Sequence, residues 1–295
     1  MKRAPLVILL ALSLAGVVAL IWPRTEHPAA ASKPLVCYVG GTMTPVFNAL
    51  AAAYEKATGR KLEITSADSG ELLATIEMQL QGDLYVAHDP FMDIAMRRGL
   101  GVNAWCVAEI YPVMIVQKGN PKGIKTLQDL LRPDVRVYLT DYEHSTLGYL
   151  LPILFRNAGV DFAELNRSKR IPTHRSGSWV ANQIIMDAAD VALVWQAVAH
   201  LRRKDLDVIP LDAKVLPAPG VDAITSATRK RYFATPVKVA MVSLTCSQRQ
   251  RDAEEFVTFV SSEAGKAILR ENGFKVSEIS GRREYANGVR VEGRN

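Results

Sequence analysis

Hydrophobic and polar positions along the chain follow two alternating patterns. Short apolar runs with the length of buried strands occur at residues 35–39, 62–65, 83–86, 135–140, 191–195 and 206–210. Segments with apolar residues three or four positions apart follow several of these runs, as at residues 46–57 and 72–80. Strands that alternate with helices in this way are typical of α/β proteins with largely parallel sheets. The pattern therefore predicts an α/β fold.

Two longer apolar runs, near Tyr111 and Val237, are the strongest strand signals and divide the chain into three segments. If both strands cross between lobes, the first and last segments share one lobe and the middle segment forms the other. We predict two lobes, each a mostly parallel sheet flanked by helices, joined by two crossover strands. The predicted divisions are lobe 1 at residues 35–113 and 238–275, lobe 2 at residues 114–237, and a loose polar tail at residues 276–295.

Two helix starts carry specific expectations. Thr44 is predicted to cap a helix in which Pro45 takes the first position. Pro152 lies inside the helix predicted after residues 141–146, and proline is unfavourable in a helix interior. We therefore expect that helix to start late or to kink.

The N-terminus has the pattern of an export signal. Lys2 and Arg3 precede an uncharged apolar run at residues 5–22, and small residues at 29–31 offer a cleavage site. The apolar run is long for a signal peptide, so an uncleaved membrane anchor is the alternative interpretation of residues 1–31. Either interpretation predicts that the rest of the chain lies outside the inner membrane, in the periplasm.

Composition narrows the class of protein. The chain has 295 residues, enough for two domains, with 48% hydrophobic and 22% charged residues, as in ordinary soluble proteins. A net charge of +6 without a dense basic run does not favour nucleic-acid binding. Cys37, Cys106 and Cys246 are most simply interpreted as small buried side chains, and their pairing is left open.

Three places repeat one arrangement, in which a strand leads into a Gly, Ser or Thr loop and then a helix. They are residues 40–42, 69–70 and 176–178. The first turn of a helix exposes unpaired N–H groups with a partial positive charge, and glycine lets a ligand approach the backbone. Each loop alone is explained by helix capping, but their recurrence indicates an anion site built from neutral donors.

Charged and ionisable residues have simpler interpretations. Asp83 is interpreted as a structural hydrogen-bonding residue, and Glu71 as a favourable charge in the first turn of a helix. Glu143 and His144 are interpreted as solvated residues or an internal ion pair. The five histidines show no catalytic or metal-ligand spacing, so the sequence predicts neither an enzyme nor a direct cation site.

At this point the sequence resembles the periplasmic molybdate/tungstate-binding proteins of ABC transporters, which have the type II periplasmic solute-binding fold. The family's motifs correspond to residues 40–44, 69–76, 83–89, 118–121, 141–148, 189–195 and 256–274. The resemblance covers most of residues 35–275. It implies that an oxyanion is bound by Gly41, Thr42, Ser69, Gly70, Leu147, Gly177, Ser178 and Trp195. Two positions depart from the family, because Leu147 replaces a small residue and Trp195 replaces a tyrosine.

The resemblance also implies a role and partners. We expect a monomer without a cofactor that binds molybdate or tungstate and delivers it to an ABC permease in the membrane. Within the same fold, the alternatives are a membrane-anchored sensor or adaptor and a binding protein for a different anion or for a ferric or organic solute.

Overall fold

The computed structural model of the chain describes residues 33–143, 145–218, 221–225, 231–233 and 237–291. The strands are β1 (Leu35–Gly40), β2 (Leu62–Ala67), β3 (Leu84–His88), β4 (Gly101–Ile110), β5 (Pro112–Gln117), β6 (Val137–Thr140), β7 (Thr173–His174), β8 (Val191–Trp195), β9 (Leu206–Pro210), β10 (Ala223–Thr225), β11 (Arg231–Phe233), β12 (Val237–Leu244), β13 (Arg283–Ala286) and β14 (Val289–Arg290). The helices are α1 (Thr44–Thr58), α2 (Ser69–Gln79), α3 (Phe91–Arg97), α4 (Thr146–Asn157), α5 (Phe162–Lys169), α6 (Gly177–Ile185), α7 (Gln196–Leu201), α8 (Gln250–Ser261) and α9 (Glu263–Glu271).

The larger sheet has seven strands in the order β14-β13-β4-β12-β3-β1-β2. Strand β1 pairs in parallel with β2 and β3, whereas β12 pairs antiparallel with β3 and β4. Helices α1 and α8 pack together, and the Phe256 ring meets Phe47 and Tyr54 with centroids 6.4 and 5.0 Å apart, edge to face. All three side chains are buried. Their contacts stabilise the packing of α1 against α8, which are distant in sequence.

The smaller sheet has five strands in the order β7-β6-β8-β5-β9. Strand β6 is parallel to β7 and β8, and β5 is antiparallel to β8 and β9. The predicted α/β class is confirmed. The sheets are mixed where we expected mostly parallel ones, because strands β4, β5 and β12 pair antiparallel with their neighbours. Sequence periodicity gives no strand direction, so it could not show this.

The chain passes from the larger to the smaller sheet at Tyr111, between β4 and β5. The backbone N–H of Tyr111 donates to the side-chain oxygen of Gln196 at 2.8 Å, and the Gln196 amide nitrogen donates to the Gly273 carbonyl at 3.0 Å. Gln196 therefore ties this crossing to the end of α9. The return crossing lies between β9 and β12 and includes residues outside the described part. The larger sheet draws its strands from both ends of the chain, and the lobe limits stay a prediction.

The expected Thr44 cap is wrong, and the helix that contains Pro152 does not start late. Helix α4 begins directly at Thr146, because the Ser145 hydroxyl caps it by accepting the Gly148 N–H at 2.9 Å. Pro152 is accommodated inside this helix. Helix α1 has Met43 at its cap position without a side-chain cap, and the Thr44 hydroxyl instead bonds the Ser66 hydroxyl at 2.5 Å.

The segment after Lys275 is not the loose tail that we expected. Strand β13 pairs antiparallel with β4 and with β14, so this segment extends the larger sheet. Glu284 and Tyr285 are buried, and Glu284 accepts a hydrogen bond from Lys238 Nζ at 2.9 Å. The polar composition of this segment did not predict a strand. Its two buried side chains, Glu284 and Tyr285, bond Lys238 and Asp93, and a local sequence pattern does not show such distant partners.

The export signal at residues 1–31 lies outside the described residues, as does His144. Among the helices that the structure describes, none is both long and apolar enough to cross a membrane. All three cysteines are free thiols; Cys37 and Cys106 are buried, and burial raises the pKa of Cys106 to about 12.

A first prediction concerns Gly148. A Cβ at this position would overlap the backbone carbonyl oxygen of Asp141, which cannot move as a flexible side chain can. Gly148→Ala should lower the free energy of unfolding by about 1–3 kcal/mol. The measurement is urea unfolding, with Gly177→Ala as the control because its nearest neighbour would be Val198 Cγ2 at 3.7 Å. Equal stability of the two variants would contradict the prediction.

A second prediction concerns the pair of Lys238 and Glu284. Burial alone would raise the pKa of Glu284, but its bonds to Lys238 and Arg282 outweigh burial and lower the pKa below 4.5. A depressed carboxyl pKa stabilises the fold above the unfolded value of about 4.5, and this stabilisation is lost as the pH falls through the folded value. Glu284→Gln should therefore cost about 2 kcal/mol at neutral pH and much less in acid. Urea unfolding at both pH values checks this, and a pH-independent loss would contradict it.

Candidate functional site

Six strands of the two sheets end at one cleft. Residues at or just after the carboxyl ends of the parallel strands β1, β2 and β3 line one side, and those of β6, β7 and β8 line the other. The cleft has a volume of about 340 Å³. Open α/β sheets bind ligands at the carboxyl ends of their strands, because the following helices start there. The topology therefore makes this cleft the candidate site.

The loop after β1 brings Gly41 and Thr42 to the cleft. The Gly41 N–H donates to the Ala67 carbonyl at 3.0 Å, and the Met43 N–H donates to the Gly40 carbonyl at 2.8 Å. These bonds hold the loop in a tight turn before α1. Thr42 is half-buried, and its hydroxyl forms no hydrogen bond with any residue that the structure describes. Thr42 can therefore donate to a ligand.

Ser69 is the first residue of α2 and is almost completely buried at the cleft wall. A Cβ at Gly40 would lie only 2.5 Å from Ser69 Oγ, so the glycine in β1 leaves room for this hydroxyl. The Tyr85 hydroxyl donates to the Ser69 carbonyl at 2.7 Å and fixes the start of the helix. Gly70 is not among the cleft residues, and its N–H already donates to the Asp68 carboxylate at 2.8 Å.

Helix α4 points its first turn at the cleft from the other side. The Thr146 hydroxyl donates to the Asp89 carbonyl at 3.2 Å, which joins the start of α4 to the turn after β3. The Leu147 side chain belongs to the hydrophobic core, so its bulk is directed into the protein interior. The N–H of Leu147 lies in the first helical turn, where it has no partner within the helix. Leu147 thus offers its backbone to the cleft.

Helix α6 supplies Gly177 and Ser178 in the same way. Its cap, Ser176, accepts the Trp179 N–H at 3.3 Å, which leaves the N–H groups of Gly177 and Ser178 without partners in the helix. An added Cβ at Gly177 would meet only Val198, so the backbone here is open on its outer side. The start of α6 is therefore a second set of donors on the small-sheet side.

Trp195 and His88 form the floor between the two sheets. Trp195 ends β8 and is buried, with its ring centroid 5.9 Å from that of His88, which ends β3. The His88 ring also meets Phe91 edge to face at 6.1 Å. Burial lowers the pKa of His88, so its ring is neutral near pH 7. The predicted ligand residues included Trp195 but not His88.

Thr140 is a further cleft residue that sequence reasoning missed. It ends β6 and is 97% buried, and its hydroxyl has no hydrogen-bond partner among the described residues. A buried hydroxyl without a partner costs free energy, so a ligand oxygen that bonds Thr140 would recover this cost. The available signal was its position at the carboxyl end of a predicted strand.

Charges also face the cleft, in contrast to the purely neutral site that we expected. The exposed Arg175 and Glu71 lie on opposite sides, and neither forms an ion pair with a described residue. Asp68 is partly neutralised as a helix cap, because its carboxylate accepts the Gly70 N–H. In the described part of the chain, no three His, Cys, Asp or Glu side chains are placed to share a cation.

The cleft brings seven of the eight predicted residues together, namely Gly41, Thr42, Ser69, Leu147, Gly177, Ser178 and Trp195. Gly70 is the exception. The cleft adds polar residues outside the eight predicted ligand positions, including His88, Thr140, Thr146, His174 and Arg175. Each of these residues ends or follows a parallel strand, so a search of the polar residues at the predicted strand ends could have found them.

Comparison with known proteins agrees with this architecture. Residues 35–275 match the family described as bacterial extracellular solute-binding proteins. A Haemophilus influenzae protein described as a proposed binding protein is 22% identical over 242 residues, which cover 81% of this chain and 90% of that protein.

Solved structures show the same fold at low sequence identity. The Campylobacter jejuni protein PEB3 with bound L-phospholactate has a TM-score of 0.64 at 15% identity and covers 82% of this chain and 100% of its own. The periplasmic molybdate-binding protein of Azotobacter vinelandii has a TM-score of 0.61 at 16% identity, covering 83% and 100%. The fold is thus that of type II periplasmic binding proteins. Because the family match spans most of the chain, the chain belongs to the bacterial extracellular solute-binding proteins.

Proposed function

We propose that this protein binds a small tetrahedral oxyanion in its cleft and delivers it to an ABC permease. The observation that carries the proposal is the buried Thr140 hydroxyl without a partner, in a cleft that also receives the hydroxyls of Thr42 and Ser69. The first turns of α4 and α6 add backbone N–H donors and the positive ends of two helix dipoles. These hydroxyl and N–H groups can all donate, which suits a ligand made of acceptor oxygens.

The donors lie on both sheets, and this supports a closing mechanism. Thr42 and Ser69 follow strands of the larger sheet, whereas Thr140, Gly177 and Ser178 follow or end strands of the smaller one. A ligand that bonds both sides stabilises the closed arrangement over the open one. The closed arrangement would be the form that a permease recognises.

Molybdate and tungstate are the ligands that the sequence resemblance favours. Support comes from the molybdate-binding protein of the same fold, and the phosphoryl group of L-phospholactate in PEB3 is also tetrahedral. The two departures at Leu147 and Trp195 preserve donors, since Leu147 offers its backbone N–H and Trp195 an indole N–H. Neither substitution therefore removes the capacity to bind an oxyanion.

A third prediction tests oxyanion binding by thermal shift. The full chain should be stabilised by at least one of molybdate, tungstate, sulfate and phosphate, and not by chloride. A ligand at about 100 times its dissociation constant adds about 2.7 kcal/mol, a shift of several degrees. A chain that responds to none of the four anions contradicts the proposed function.

Two variants locate the binding in the cleft. Ser69→Ala with Thr42→Ala should abolish the shift, because two hydroxyl donors are lost. Thr258→Ala is the matched control, since it removes an exposed hydroxyl outside the cleft on α8. If both the double variant and the control keep the full shift, the anion binds elsewhere.

A fourth prediction uses the two charges that face the cleft. Arg175→Gln should weaken oxyanion binding a few-fold, and Glu71→Gln should strengthen it by a similar factor, because the exposed side chains act through screened electrostatics. Both effects should shrink when the salt concentration rises from about 20 mM to about 500 mM. Titration calorimetry measures them, and effects of the same sign for the two variants would contradict the prediction.

A further inference from the structure

Two histidines that face the cleft present opposite hydrogen-bonding groups. His88 Nδ1 lies 3.1 Å from the carbonyl oxygen of its neighbour Asp89. A carbonyl oxygen only accepts hydrogen bonds, so Nδ1 carries the hydrogen. In a neutral ring the other nitrogen, Nε2, then has a lone pair and is an acceptor.

His174 has the reverse arrangement. Its Nδ1 accepts the backbone N–H of Ser176 at 3.0 Å, so its hydrogen is on Nε2. Its ring stacks on Trp179 with centroids 4.5 Å apart, which holds the ring in this orientation. His174 therefore adds a donor to the cleft, and His88 contributes an acceptor.

The acceptor at His88 is fixed in place. The ring is held between Phe91 and Trp195, and Nε2 has no hydrogen bond with any residue in the described part of the chain. Burial lowers the pKa of this ring, which keeps it neutral and keeps the lone pair on Nε2. The hydroxyl and N–H groups of the cleft can donate hydrogen bonds, whereas Nε2 of the neutral His88 ring can only accept one.

We infer that His88 selects a tetrahedral oxyanion with one protonated oxygen, of the type of hydrogen phosphate, by accepting its hydrogen at Nε2. This inference rests on the proposed function, and it names the class of oxyanion. A fully ionised dianion such as sulfate or molybdate has no hydrogen to donate, so it places a lone pair against a lone pair. Such an ion binds only if His88 first takes up a proton.

Other titratable groups surround His88 and determine the design of the test. Asp68, which caps α2, and Glu71 in the first turn of α2 line the same side of the cleft as His88, and His174 and Arg175 line the opposite side. Burial raises the pKa of the adjacent Asp89 to about 7. A simple pH profile would therefore mix several groups. The difference in proton uptake between two ligands at the same pH removes the contributions of groups that respond equally to both ligands.

The test is titration calorimetry of the full chain at about pH 8, in two buffers with different ionisation enthalpies. Sulfate and hydrogen phosphate are compared because both are tetrahedral dianions of similar size at this pH. We expect hydrogen phosphate to bind at least tenfold more tightly, without proton uptake. Sulfate and molybdate should bind with uptake of about one proton. Equal affinity for sulfate and hydrogen phosphate, or sulfate binding without proton uptake, would overturn the role of His88.

Two variants separate this role from general loss of binding. In His88→Gln the amide can turn either its oxygen or its NH₂ to the ligand, so the preference for hydrogen phosphate should fall toward unity. His174→Gln is the matched control and should weaken both anions while keeping their ratio. A ratio that His88→Gln leaves unchanged would overturn the inference. If the unaltered chain binds none of the oxyanions, the proposed function itself has failed, which is a distinct result.

Discussion

The unsatisfied N–H groups at the starts of helices are the constraint on which this structure depends. Each helix must leave its first N–H groups without partners inside the helix, and parallel strands place successive helix starts at the same edge of a sheet. Here two sheets turn these edges toward one cleft, so α2, α4 and α6 begin around a common volume. Gly40 leaves room for the Ser69 hydroxyl at the cleft. The caps at Ser145 and Ser176 accept the N–H groups of Gly148 and Trp179, and the earlier N–H groups of each helix remain free.

The sequence could predict those parts of the site whose residues lie together in one loop. The loops at residues 40–42, 69–70 and 176–178 combine glycine with hydroxyls before a helix, and the structure brings residues from all three to the cleft. Thr140 and His88 could not be chosen in this way, because each is an ordinary strand end until the partner strands are known. Thr140 matters through the absence of a partner, which only the packing around β6 determines.

The fold was predictable in class but not in strand order. Alternating patterns at β1, α1 and β2 identify α/β structure, but the pairing of β12 with β3 and β4 depends on contacts across more than a hundred residues. Strand β4 was missed because its buried run includes Asn103 and Glu109, whose polarity interrupts the apolar pattern. Both side chains have partners distant in sequence, Glu254 for Asn103 and Lys275 for Glu109. Buried polar residues with distant partners thus explain the missed strand β4 and also the missed strand β13.

Neutral donors set a limit on how well such a cleft can select its ligand. Hydroxyls and N–H groups bind any acceptor oxygen, so they discriminate among oxyanions of one shape mainly by radius. An acceptor fixed in contact with the ligand changes this, because it distinguishes two ions of equal size and charge by the presence of one hydrogen. His88 is well placed for that task, since it lies on the floor where β3 and β8 meet and contacts Trp195 from the other sheet. In the proposed closing mechanism, a mismatch at this point would act against closure as well as against binding, because only a ligand accepted by both sides favours the closed form.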